Sequence, residues 1–216
     1  MRAVVAEALA TALLLAVVVG SGVMGERLAG GNVAIALLAN SLATAAGLVV
    51  LVTAFGPISG AHMNPAVTIV AAALGRLPWR AVPARVLAQV AGGVSGVVLV
   101  HVMFALPPLG AATNVRAGVD LGVAEAVATF FLVFVVFAVQ AARPAAVPAA
   151  VAATVFAGYW FTSSTCFANP AVTLARAFTD TFTGIRFEDV PSFVAGQAIG
   201  AIAALLTFRF LVVEKA

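Results

Sequence analysis

Apolar residues run through this chain in blocks long enough to cross a bilayer, and polar residues are confined to short breaks between them. Spans fall at about 3–25, 33–56, 81–106, 120–141, 144–163 and 190–212. Each reaches the roughly 20 residues that a helix needs to traverse the hydrocarbon core. Gly30-Gly31-Asn32, Gly56-Pro57, Pro107-Pro108, Arg143-Pro144 and the polar run 180–189 separate them, as helix-breaking residues do. Two apolar pieces are left over, about 64–75 and 169–179, too short to span. No Asp, Glu, Lys or Arg occurs in 28–75 or in 144–175. Each stretch exceeds a single crossing, so each must turn back inside the membrane, and the short pieces are read as half-helices.

Both half-helices open with the same pentapeptide, Asn-Pro-Ala-Val-Thr, at 64–68 and at 169–173. Proline suits the first helical turn, where its missing N–H has no partner to lose. Asparagine just before it is a favoured cap. A helix that starts in this way at the bilayer midplane turns its positive dipole end toward whatever passes.

The two halves repeat. Val5 to Thr11 matches Val123 to Thr129 at an offset of 118, and the Asn-Pro-Ala motifs repeat at 105. Gln89-Val90-Ala91-Gly92 matches Gln197-Ala198-Ile199-Gly200 at 108. With three full spans per half, the second repeat starts on the opposite side of the membrane, so the repeats are inverted. The expectation is one transmembrane domain over 1–216, with repeat one at about 1–110 and repeat two at about 118–216. It is an all-α membrane protein of six helices plus two re-entrant half-helices.

Composition agrees: 63% of residues are hydrophobic and 9% are charged, a balance that excludes a soluble monomer. The high pI reflects loop arginines rather than a nucleic-acid partner, and the single Cys166 excludes an intrachain disulfide framework. Arg2, Arg76, Arg80, Arg85, Arg143, Arg209 and Lys215 gather on one side. Arg27, Arg116, Arg176 and Arg186 lie on the other, diluted by acids. The richer side is cytoplasmic by the positive-inside rule, which puts both termini inside. The first span is read as a retained helix rather than a cleaved signal peptide. The excess of Ala, Val and Arg points to a bacterial inner (plasma) membrane.

The paired motifs, a Glu in the first helix of each repeat and Ser59-Gly60-Ala61-His62 before the first motif resemble the aquaporin (major intrinsic protein) family over about 4–213. The resemblance implies a homotetramer in the lipid bilayer with one pore per subunit, no cofactor, and water and small uncharged solutes as cargo. Asn64 and Asn169 would line the pore and donate hydrogen bonds to the passing molecule, while the opposed dipoles reject cations. Glu7 and Glu125 lie deep in apolar spans, where a carboxylate is expensive without partners. Scaffold support for the re-entrant loops, whose N–H groups need acceptors, is preferred to a proton relay. His62 is placed with this pore-loop support, through its carbonyl or its ring. His101 lies on an apolar face with no evident partner.

The sequence departs from the family at the outer constriction. Water-selective members carry an arginine directly after the second motif, where this chain has Val172. The other selectivity-filter positions fall on Thr44, Ala157 (or Gly158) and Cys166, so a wide, apolar filter is expected. That pattern resembles a bacterial subset of glycerol-type channels, some linked to arsenic resistance. Arg176, four residues beyond Val172, is read first as an interfacial partner of Asp180 and second as a substitute charge at the outer mouth. Tyr159 and Trp160 are read as interfacial anchors. An ion-coupled secondary transporter and a closed-pore structural membrane protein are the alternatives. An enzyme is disfavoured, because no nucleophile–base pair or metal-ligand cluster is visible.

Overall fold

The computed structural model describes residues 1–212; Lys215, counted above among the richer side's charges, lies outside the described residues. Among the described residues, six helices are long and apolar enough to cross a membrane, three of them together with the short 3-10 turn that leads into them. They are α1 (Arg2–Leu28), α2 (Val33–Ser59), α4 (Val82–Met103), α5 (Val119–Ala142), α6 (Val147–Phe161) and α8 (Val190–Leu211). Between them lie α3 (Pro65–Ala73) and α7 (Pro170–Arg176), of 9 and 7 residues. At 1.5 Å per residue these are about 13 Å and about 10 Å long, so together they cross most of a roughly 30 Å hydrocarbon core.

Local chemistry sets the ends. Asn32 caps α2 by accepting from Ile35 N–H, and Gly60 closes it in the left-handed region at φ 89°. The spans α4, α6 and α8 each follow a short 3-10 turn and carry proline at the second helical position. There its missing N–H leaves no intrahelical bond unmade.

Packing follows the repeat. Helix α1 lies against α4 and α2, as α5 lies against α8 and α6, and α2 meets α6 across the two halves. Glycines bring the first pairs close. A Cβ on Gly92 would sit 2.1 Å from Ala8 O, and one on Gly200 would sit 2.2 Å from Ala126 O. These two contacts are related by the same repeat that aligns Val5 with Val123. Small residues at a helix interface let backbones approach and gain dispersion contact, the chief attraction available in lipid. Large apolar side chains such as Leu9, Leu87, Val127, Ile199 and Leu206 remain exposed on the outside of the bundle, a surface suited to acyl chains.

Candidate functional site

The half-helices meet at their N-termini. Asn64 Oδ1 accepts from Ala66 N–H, and Asn169 Oδ1 accepts from Ala171 and Val172 N–H, so each asparagine caps its own helix. Asn64 Nδ2 donates to Ala168 O at 2.8 Å, and Asn169 Nδ2 donates to Met63 O at 2.7 Å. The two loops are thus tied to one another at the centre of the molecule.

These loops are strained in matching places. Ala61 and Met63 have φ of 48° and 49°, and Cys166 and Ala168 have 54° and 47°. They stand three residues and one residue before each asparagine. Left-handed conformations of non-glycine residues cost about 1–3 kcal/mol each and persist only when surroundings enforce them. Two fully buried carboxylates do so. Glu7 accepts from His62 N–H at 3.0 Å, Met63 N–H at 2.7 Å, Ser59 Oγ at 2.6 Å and Gln89 Nε2 at 2.7 Å. Glu125 accepts from Phe167 N–H at 2.9 Å, Ala168 N–H at 2.8 Å and Gln197 Nε2 at 2.6 Å. Gln89 and Gln197 also donate to Thr68 and Thr173 on the half-helices. Neither glutamine emerges as a site residue from sequence alone, although their match across the repeats was the available signal. His62 offers its backbone N–H to Glu7, and its ring Nδ1 lies 3.1 Å from Thr68 Oγ1.

A cavity of about 110 Å³ runs past this junction. A water needs roughly 10–15 Å³ of such space, so the passage holds several. Helical rows of i, i+4 residues build its wall: Leu14 and Val18 on α1, Thr44, Leu48 and Val52 on α2, Leu132, Val136 and Gln140 on α5, and Val147, Val151, Val155 and Tyr159 on α6. The loops contribute His62, Asn64, Cys166, Phe167 and Asn169, and α7 contributes Val172 and Arg176. Thr44, Cys166 and Val172 therefore share one end of the passage with Tyr159 and Arg176. This is the face opposite Arg2, called here the far face.

Four sequence readings change. Ala157 is exposed on the outside of α6 and does not line the cavity. At 3.6 residues per turn, it stands about 200° around the helix from Val155. Its alternative, Gly158, is buried and leaves room for Cys166, since a Cβ there would meet the cysteine Sγ at 2.5 Å. Tyr159 is not an interfacial anchor: it is 4% exposed, and its hydroxyl lies 3.3 Å from Thr44 Oγ1. Trp160, one residue on, does stay exposed and donates to Ser41 Oγ. Arg176 does not pair with Asp180, which accepts instead from Thr113 N–H and Oγ1. Its guanidinium is 3% exposed and lies on Phe167, 3.4 Å from the ring centroid, with Nε donating to Thr183 O. His101 has partners after all. It is buried between Pro107 O and Thr179 Oγ1, fastening the far-face loop to the segment after α7.

The passage is walled mostly by apolar side chains with a few neutral polar groups, a lining suited to uncharged molecules. Among the described residues, no cluster of His, Cys, Asp or Glu could hold a metal ion. A family model described as "Major intrinsic protein" matches residues 1–167. The chain is 52% identical to Aquaglyceroporin AqpS of Rhizobium meliloti (strain 1021) over 210 residues, covering 97% of this chain and 90% of that protein. It is 29% identical to Probable aquaporin NIP7-1 of Arabidopsis thaliana, covering 97% of this chain and 76% of that protein. The X-ray structure of the aquaglyceroporin from Plasmodium falciparum superposes with a TM-score of 0.73 at 18% identity, covering 97% and 96% of the two chains.

Proposed function

This chain belongs to the major intrinsic protein family and is a passive membrane channel for water and small solutes, and we propose that it passes glycerol-sized uncharged solutes through a filter made by Thr44, Tyr159, Cys166 and Val172. One observation carries this reading: the residue at the arginine position of water-selective members is Val172, buried at the cavity wall. A valine neither fills the passage nor donates a hydrogen bond, so the ring is wider and less polar than one closed by a guanidinium. Tyr159 takes the place expected for Ala157 and adds one hydroxyl. Neutral trihydroxy arsenic species present the same hydroxyl pattern as a small polyol and fit the same passage.

Asn64 and Asn169 serve as pore-lining donors at the midpoint. Each amide has two N–H groups and gives one to the opposite loop, which leaves one for a passing oxygen. Glu7, Glu125 and His62 serve as loop support. The glutamates' engagement with backbone donors, together with their absence from the cavity wall, favours this role over ion coupling. The whole chain acts as one channel domain. The resemblance further supports a homotetramer, and the richer basic side supports cytoplasmic termini in a bacterial inner membrane. Stopped-flow light scattering on liposomes holding the purified protein tests the function. Glycerol flux should be passive, unsaturated and independent of an ion gradient. A channel that admits water and excludes glycerol would overturn the filter reading.

A further inference from the structure

We propose that Arg176 forms a second selective station, one helical turn beyond the Val172 ring, so that this channel rejects charge and selects size with separate residues. The inference rests on the filter reading above and deepens it. Four residues separate Val172 from Arg176 on α7, which places the Arg176 backbone about 6 Å farther toward the far face, and the side chain ends against the Phe167 ring. The side chain is 3% exposed and lines the passage.

The hydrogen-bond inventory distinguishes a station from a strut. Arg27, Arg85 and Arg209 each give a terminal guanidinium nitrogen to a backbone carbonyl, at Phe104, Ser59 and Ala73. Arg176 spends only Nε, on Thr183 O. Among the described residues its two terminal nitrogens have no protein acceptor, although the group is almost wholly buried and borders the cavity. Phe167 holds the plane flat from one side. The same ring carries Arg116 at 5.1 Å, so a second cation stands behind the first. Among the described residues no carboxylate is hydrogen-bonded to Arg176: Asp180 serves Thr113, Asp189 serves Arg186 and the Arg116 N–H, and the buried Glu125 is taken up by Phe167 N–H, Ala168 N–H and Gln197. A cation entering from the far face therefore meets fixed positive charge with little water to screen it. A neutral solute with two neighbouring oxygens meets a planar pair of donors that suits bidentate acceptance. The ligand class is a small polyol or a comparable neutral polyoxygen solute, bound before it reaches the ring.

The test reads three quantities in liposomes: proton leak with an internal pH dye, the glycerol-to-water permeability ratio, and the glycerol-to-pentitol ratio as a size cut-off. Arg176→Gln should raise proton leak about fivefold or more and lower the glycerol-to-water ratio about threefold, with the size cut-off unchanged. Val172→Leu should do the reverse, tightening the size cut-off with leak unchanged. Unchanged leak in Arg176→Gln, or a shifted size cut-off, overturns the proposal. If Arg176→Gln does not fold, Arg176→Lys keeps the charge and loses the fork. It should exclude protons like wild type while losing glycerol relative to water, and an unchanged ratio would overturn the proposal. Wild-type glycerol flux is read first. Its absence sinks the filter reading, while the leak comparison still decides the role of Arg176.

Discussion

Asn64 and Asn169 hold each other's loops, each donating its amide N–H to the carbonyl of the residue that precedes the other. The bond pair joins the repeats where the two half-helix dipoles oppose. It also fixes the asparagine oxygens as caps and leaves a single N–H per amide for cargo.

Asp at both positions keeps a capping oxygen and loses the donor. Asn64→Asp with Asn169→Asp should therefore leave Ala168 O and Met63 O unpaired, at about 1–3 kcal/mol each, and add negative charge at the midpoint. Cation leak in liposomes should rise and thermal stability in detergent should fall. An equally tight, equally stable double variant would show that the clasp and the amides are dispensable.

Removing a loop-supporting carboxylate leaves buried donors orphaned and strained backbone unsupported. Glu125→Ala and Glu7→Ala should each destabilise by about 1–3 kcal/mol for each buried donor left unpaired, read as a lower unfolding midpoint by the fluorescence of Trp79 and Trp160. Glu→Gln should be milder, since an amide oxygen still accepts but the amide nitrogen faces a donor. Wild-type stability in both alanine variants would argue that the loops hold themselves.

The glycine contacts give a packing test. Gly92→Ala or Gly200→Ala drives a methyl into a carbonyl about two ångströms away, with backbone on both sides. Helix separation and poor folding yield are expected. Gly56→Ala, with nothing within 4 Å of its new Cβ, should fold like wild type. Equal yields for all three would contradict the close approach.

Cys166 lines the passage beside Val172, and a mercurial on its sulfur should close it. Flux through wild type should fall and return on adding a thiol reductant, while Cys166→Ser should not respond. In the same assay, Val172→Arg should cut glycerol flux more than water flux. Insensitivity of wild type to mercury would place the sulfur out of reach of the channel.

Asp180 accepts from Thr113 N–H at 2.9 Å and Oγ1 at 2.8 Å. These bonds hold its carboxyl below the ordinary value of 3.8. A carboxylate lowered in the folded state contributes stability that is complete above its unfolded value, near 3.9. That contribution is lost as pH falls through the lower, folded value. Amide protection at Thr113, corrected for intrinsic exchange, should hold from pH 7 to about 5 and fall below about 4. Asp180→Ala should show the weakened state throughout. Protection in Asp180→Ala equal to wild type would remove the pair from the loop's anchorage.

The spans, the half-helices and their inversion were legible in the chain because each rests on local or periodic chemistry. A charge-free stretch too long for one crossing must turn back, Asn-Pro starts a helix in any context, and a repeated Glu and Gln mark equivalent turns of equivalent helices. Which face of a helix meets the channel was decided only by packing. In lipid the outside of the bundle is as apolar as its inside, so alternating hydrophobicity does not separate Tyr159, on the channel wall, from Ala157, on the outer surface. Arg176 shows the same limit. Asp180 is four residues on in the sequence, but α7 ends at Arg176, and folding delivers Phe167 and Thr183 to the guanidinium and Thr113 to the aspartate. Phe167 and Thr183 come from the loops that flank α7 and Thr113 from the connection before α5, and no regular helical spacing encodes those approaches.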